Sequence, residues 1–303
     1  MAKFEFGFEE AWLRLIIKKI PNHPNLFLPS AVEQAQTILR VGKLKVGAAR
    51  AWAEAAGVII KKKKQFILTP LGNLIKHHDP DMDDDGIWWA LHYNLARQNS
   101  PAWFYAFYCN EFTSDIFDRG MLEKELRAWW DRGHEKPMTD SIFDKLVFSP
   151  LKQAFDGTRL GNEFGFFALQ EGSRFCRQAP GHRLPPAAIV AYGLLDWARQ
   201  QQRQSVHLEK LLGAWGIGRI FRLDRTSLDE ILIQIGDKYN KQVGWVSHTA
   251  GLNSVSIMDL PPLTLISAHY YELDGESPSS ALEKGKAEVL ELGKMQADLP
   301  LFS

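Results

Sequence analysis

Cysteine is nearly missing from this chain. Cys109 and Cys176 are the only two in 303 residues, so no disulfide framework holds the fold, and a reducing, cytoplasmic compartment is expected. Long apolar runs are missing too. The nearest, AAIVAYGLL, is about half of the roughly 20 residues a bilayer span requires, so no membrane partner is expected. The opening MAKFEFGFEEAWLRLIIKKI intersperses charges where a secretory signal would be continuously apolar. Net charge is absent as well: Lys plus Arg and Asp plus Glu number 36 each, so an electrostatic partner must be met by a local patch instead of a global field. No GxxxxGK[ST], GxGxxG, CxxC or HExxH pattern occurs, and no serine stands in an elbow. A P-loop ATPase, a common dinucleotide enzyme, a zinc ribbon and a zincin protease are thereby unsupported. Aromatic and aliphatic residues are plentiful. At 45% hydrophobic, with ten Trp and eighteen Phe, the chain has apolar surface enough for a core and length enough for two domains.

Apolar residues at Phe8, Ala11, Trp12, Leu15, Ile16 and Ile20 recur every three or four positions, which predicts an amphipathic helix stopped by PNHPN. Ser30 with Glu33 reads as a capping box opening a second helix at about Ala31. After the VGK turn, LKVGAARAWAEAAGVI predicts a third helix ending at Gly57. Two β-prone runs around four lysines then form a hairpin. Residues 1–75 are therefore expected to be a winged helix-turn-helix. Residues 76–180, with GIWWALHYNLARQN, PAWFYAFYCNEF and MLEKELRAWWDRG, predict a helical middle lobe around an aromatic core, bounded by the loop QAPGHRLPP. Residues 181–260 hold further helices closed by the alternating WVSHTAGLNSVSIMDL, a second winged-helix-like unit with a small β-hairpin. Residues 261–303 read as a tail with a C-terminal helix, ALEKGKAEVLELGKM, whose Glu and Lys pairs suit an exposed or docking face. The fold class is mainly α.

Charge is uneven along this neutral chain. Through Lys64 there are twelve Lys and Arg against five Asp and Glu. Lys43 and Lys45 open the third helix, Arg50 follows about two turns on, and Lys61, Lys62, Lys63 and Lys64 make the wing tip. A helix entering the major groove reads bases from its N-terminal residues while basic wings hold phosphates, so these seven residues are the candidate contacts to double-stranded DNA. A solvated basic face is the alternative. The helix is rich in alanine and poor in base-reading side chains, which points to weak sequence specificity.

Five aspartates, Asp79, Asp81, Asp83, Asp84 and Asp85, follow His77 and His78. Asp83 and Asp85 are the candidate ligands for Mg²⁺, whose oxygen preference matches carboxylates, with helix capping as the alternative. His92 lies inside the apolar WWALHYNLA, and Glu111 sits among aromatics in CNEF. Each needs a partner if buried, and a pairing between them would serve either as a structural bond or as a general base for an attacking water. Glu9 joins His92 and Glu111 as a catalytic candidate.

Several strings together resemble a known family. KLKVGAARAWAEAAGVI, TPLGNLI, IWWALHYNLA, AWFYAFYCNEF and the late SHTAGL are similar, in the same order, to the SspB-like proteins associated with bacterial DNA phosphorothioation (domain of unknown function 4007). The resemblance spans residues 5 to about 258. It implies a DNA nickase working in phage defence with a cysteine desulfurase, an ATPase and a sulfurtransferase-type enzyme that place sulfur in the DNA backbone. A non-catalytic DNA-binding adaptor or regulator that recruits those enzymes is the alternative. FGFEEA keeps the family's Gly7 and Glu9 but carries Phe8 where a histidine is expected, so no histidine at that position acts here.

Overall fold

The computed structural model describes residues 4–156, 158–166, 168–169, 173–177, 183–248 and 253–297. Three helices open the chain, α1 (Glu10–Lys19), α2 (Val32–Leu39) and α3 (Lys43–Ala55). β1 (Ile59–Lys62) and β2 (Gln65–Leu68) then pair across Lys63 and Lys64. Next come α4 (Pro70–His78), α5 (Asp85–Ala96), α6 (Trp103–Asn110), β3 (Ile116–Phe117), α7 (Arg119–Gly133), α8 (Asp140–Phe143), α9 (Ser149–Phe155), β4 (Ala168–Leu169) and β5 (Phe175–Cys176). The remainder runs α10 (Ala187–Gln201), β6 (Ser205–His207), α11 (Leu208–Leu212), α12 (Ile217–Ile220), α13 (Arg225–Lys238), β7 (Gly244–Ser247), β8 (Ser254–Ile257), α14 (Leu263–Leu273) and α15 (Pro278–Ala297). The protein is mainly helical with small antiparallel sheets, as the periodicity predicts. It forms two compact units, one from Met1–Ile67 with Asn94–Leu184, the other from Leu68–Tyr93 with Pro185–Ser303.

Trp52 organises the first unit. Its ring meets the edges or faces of Phe4, Phe8, Phe104 and Tyr105 at 5.0 to 6.2 Å between centroids, and its indole N–H donates to the Phe6 carbonyl at 2.8 Å. Edge-on aromatic pairs of this kind add about 0.5–1.5 kcal/mol beyond the area they bury. The alanines of α3 explain how so large a ring fits, because Ala48, Ala49, Ala51, Ala53 and Ala55 are all buried and let neighbours approach the helix closely. Gly57, at φ 76°, supplies the left-handed residue that ends the turn, as the sequence predicts. The predicted capping box does not form. Pro29 starts a 3-10 turn over Pro29–Ala31, which puts Ser30 inside that turn and makes Ala31, without a side-chain bond, the N-cap of α2. Elsewhere in the unit, buried Arg177 donates to the Tyr108 and Phe112 carbonyls at 2.8 and 2.9 Å and lies over both rings, so its charge is solvated by backbone dipoles and π faces.

In the second unit α10 packs against α13 and α14, and α14 against α15. The alternating WVSHTAGLNSVSIMDL gives β7 and β8 as expected, with Val246 opposite Val255. A third strand joins them. β6 pairs with β8 in register Val206↔Val255, making an antiparallel sheet ordered β6-β8-β7. Three residues are too few to show a period of two, which is why the sequence shows only a hairpin. The stretch read as a tail contains α14, whose Leu265, Ile266, Ala268 and Tyr270 are buried. Residues 178–182 of the expected boundary loop and 249–252 of SHTAGL lie outside the described residues.

Candidate functional site

The first unit carries the basic segment. Lys43 is exposed at the first position of α3, beside Leu44, an apolar side chain that is 66% exposed. Lys45, one residue on, is tied to the protein: its ammonium bonds the Glu9 carboxylate at 2.8 Å and lies near the Phe6 and Trp12 rings. Glu9, the N-cap residue of α1, is thus a charge partner of α3. Arg50 reaches Glu54 at 3.5 Å and lies over the Phe66 ring of β2, joining α3 to the hairpin. Burial pushes the Glu54 carboxyl up, opposed by the charges of Arg50 and Lys61. Lys61, Lys63 and Lys64 are exposed and Lys62 half-buried. Lys63 holds φ at 55°, a left-handed geometry costly for a residue with a Cβ.

α5 explains the placement of His92. Ile87, Trp88, Trp89, Leu91, Tyr93 and Leu95 are all at most 1% exposed, so this helix is buried on every side, the pattern its continuous apolar sequence dictates. Each polar atom on it then needs a bond within the protein. Trp88 donates to the Met82 carbonyl at 2.9 Å, Tyr93 to Asp196 at 3.0 Å, and Asn94 to the Ala56 carbonyl at 3.0 Å. His92 Nε2 donates to the Ile220 carbonyl at 2.9 Å. Burial, assisted by the charge of Arg222 and opposed by the Ile220 bond, drives the His92 pKa down to about 4. Glu111 is the half-buried C-cap residue of α6, its N–H bonded to the Phe107 carbonyl at 2.8 Å.

The aspartate run is organised by its own backbone. Asp79 accepts the N–H groups of Asp83 and Asp84 at 2.9 and 3.1 Å. Asp84 accepts the Ile87 N–H at the start of α5 and the His269 Nε2–H at 2.8 Å. Burial raises the Asp84 carboxyl, yet the bond and charge of His269 and the N–H groups of Gly86 and Ile87 outweigh it and hold it below the usual range. Only glycine fits at residue 86, because a Cβ there would lie 2.4 Å from His269 Nε2. Asp83 is exposed and Asp85 half-buried. Among the described residues, neither belongs to a group of three donors close enough to share one ion.

The sequence did not point to what lies beside them. His77 and His78 end α4, and both meet Glu288 of α15 at 3.1 Å. Ser267 of α14 donates to the same carboxylate, and the Tyr270 ring stacks on His78 at 4.9 Å. Burial raises the Glu288 carboxyl, but bonds from His78, Ser267 and His77 bring it down to about 2. Among the described residues the buried Tyr270 hydroxyl has no hydrogen-bond partner, and burial with the nearby charges of Asp79 and Asp84 keeps it protonated.

These features define a mainly helical protein that combines a basic helix and hairpin in one unit with a histidine and carboxylate corner in the other. A family described as "Protein of unknown function (DUF4007)" matches residues 5–147 and 168–270, and the chain belongs to that family. Two solved structures share the fold across almost the whole chain. A crystal structure of SspB and a magnesium ion-bound SspB crystal structure each cover 97% of this chain, and 96% and 95% of their own, at a TM-score of 0.75 and 19% identity. No curated protein matches the chain. Among the described residues, no helix is long and apolar enough to cross a membrane.

Proposed function

We propose that this chain is the DNA-binding, strand-nicking component of a bacterial DNA phosphorothioation system. In this reading α1 to α3 with the β1–β2 hairpin are a winged helix, and the chain works with a cysteine desulfurase, an ATPase and a sulfurtransferase-type enzyme in the cytoplasm. The observation that carries the proposal is the exposure of Lys43 at the start of α3 together with Lys61, Lys63 and Lys64 at the hairpin, inside a chain of zero net charge. Exposed ammonium groups on a groove-sized helix and its wing suit duplex phosphates, and Leu44 beside Lys43 offers an apolar contact of the kind thymine methyl groups accept. The likeness in fold to SspB along nearly the full length supports the same reading.

For the cut itself, Mg²⁺ needs only one or two carboxylates, with water and phosphate oxygens completing its shell. Asp83 and Asp85 offer such oxygens, since one is exposed and the other half-buried, and magnesium is bound in one of the similar structures. Bound there, the ion would take up charge developing on the phosphate. Glu9 and Glu111, both in the first unit, are the carboxylates proposed as catalytic residues. The burial of His92 fits the structural one of its two readings better than the role of general base, since a ring with no solvent-facing surface reaches no attacking water. The adaptor reading, in which the chain recruits partner enzymes without cutting, is favoured by one observation: among the described residues the only ion-sized donor group is not a carboxylate cluster.

Incubating supercoiled plasmid with the purified chain and Mg²⁺ or Mn²⁺, alone and with the three partner enzymes, tests the proposal. Open-circular plasmid is the expected product. Plasmid left intact in every combination would remove the nickase reading, and DNA binding retained under those conditions would leave the adaptor.

A further inference from the structure

α4, α14 and α15 bring together a donor set that the proposed nicking does not use. One donor atom from each of His77, His78 and Glu288 lies within 4.8 Å of the other two, and His77 Nδ1 and His78 Nε2 each stand 3.1 Å from Glu288 Oε1. Donors bonded tetrahedrally to one ion at about 2.0–2.1 Å lie about 3.3 Å apart, so both nitrogen–oxygen separations already match those of two ligands on one ion. The surroundings hold the donors in place. The Ser267 hydroxyl fixes the second Glu288 oxygen, Tyr270 stacks on the His78 ring at an interplanar angle of 8°, and Tyr271 meets the same ring edge-on at 5.3 Å. Bonds of this second layer orient metal ligands and raise their affinity. The histidines also occupy the last turn of α4, the negative end of its dipole, where a cation is favoured.

We propose that His77, His78 and Glu288 bind one divalent transition ion of the zinc class, joining α4 to α15. Two imidazole nitrogens select Zn²⁺, Co²⁺ or Ni²⁺ over Mg²⁺, which takes oxygen ligands and gives up water reluctantly. The site is therefore different in chemistry from a magnesium position at Asp83 and Asp85. Side-chain exposures of 9% for His78 and 14% for Glu288 against 71% for His77 give the ion an open approach from the His77 side. Three protein ligands and an accessible fourth position are the arrangement of zinc sites that keep a bound water.

The test uses the full, untagged chain, stripped with chelator and titrated with Co²⁺. One Co²⁺ per chain is expected, with the intense visible absorption of a four- or five-coordinate site, displaced by equimolar Zn²⁺ and unaffected by excess Mg²⁺. His78→Gln and Glu288→Gln should each weaken binding by more than the roughly 10–100-fold that losing a second-layer partner costs, and Ser267→Ala by about that amount. Should either glutamine variant lose its circular-dichroism spectrum, His77→Ala decides the matter, because a side chain 71% exposed is removed without opening the core. No Co²⁺ uptake, an octahedral spectrum, or unchanged affinity in the folded variants would overturn the proposal. None of these readouts involves DNA, so the site stands or falls separately from the nicking activity.

Discussion

Replacing Lys61, Lys62 and Lys64 by alanine and Lys63 by glycine is expected to weaken binding to any DNA duplex about 100- to 1000-fold near 0.15 M salt, with the same loss on every sequence. Each phosphate neutralised releases counterions worth about 0.9 in the slope of log K against log salt, so losing three or four such contacts lowers that slope by about three units. Glycine is chosen at residue 63 because the backbone there holds φ at 55°, which glycine adopts without strain. The hairpin should stay folded, since Phe66 and Leu68, the buried side chains of β2, are untouched. Fluorescence anisotropy at several salt concentrations reads both quantities. Affinity and slope equal to those of the parent chain would mean the hairpin faces away from DNA.

Acid is expected to destabilise the protein through His92. The folded-state pKa of about 4 lies below the 6.5 of an ordinary, solvated imidazole. A histidine whose folded pKa is depressed contributes stability that is complete above the unfolded pKa, and it loses that contribution as pH falls from 6.5 towards 4, because only the unfolded chain takes up the proton. The difference amounts to about 3 kcal/mol at most. Denaturant melts at pH 7.5 and 4.5 should therefore show a fall of that order. His92→Gln keeps an N–H for the Ile220 carbonyl but does not titrate, so it should flatten the fall between pH 6.5 and 4.5. Equal pH dependence in the two proteins would show that His92 exchanges protons freely in the folded state.

α5 and α3 were legible because their physics is local. WWALHYNLA is apolar on all sides and becomes a helix buried on all sides, and Lys43 to Gly57 carries both the start and the left-handed stop of its helix. The hairpin followed from two β-prone runs flanking a polar tip. The histidine corner was not legible, since its members come from positions 77, 78, 267, 270 and 288, and only packing joins them. Glu288 sits in a segment whose alternating Glu and Lys read as a solvated face. α14 was hidden for a related reason. Ser267, His269 and Tyr270 make LTLISAHYYEL look too polar for a core, yet Ser267 and His269 are bonded to carboxylates contributed by other helices and loops of the same unit. Asp84 illustrates the converse, a residue from a conspicuous acidic run that spends its oxygens on a helix start and one histidine.

Photochemical cross-linking of the whole chain to a duplex, with the attached peptides identified by mass spectrometry, tests most directly whether the basic helix and hairpin grip DNA. Cross-links concentrated in residues 40–66, and suppressed by raised salt, are the predicted result. Cross-links confined to the second unit, or none above a neutral control protein, would contradict it.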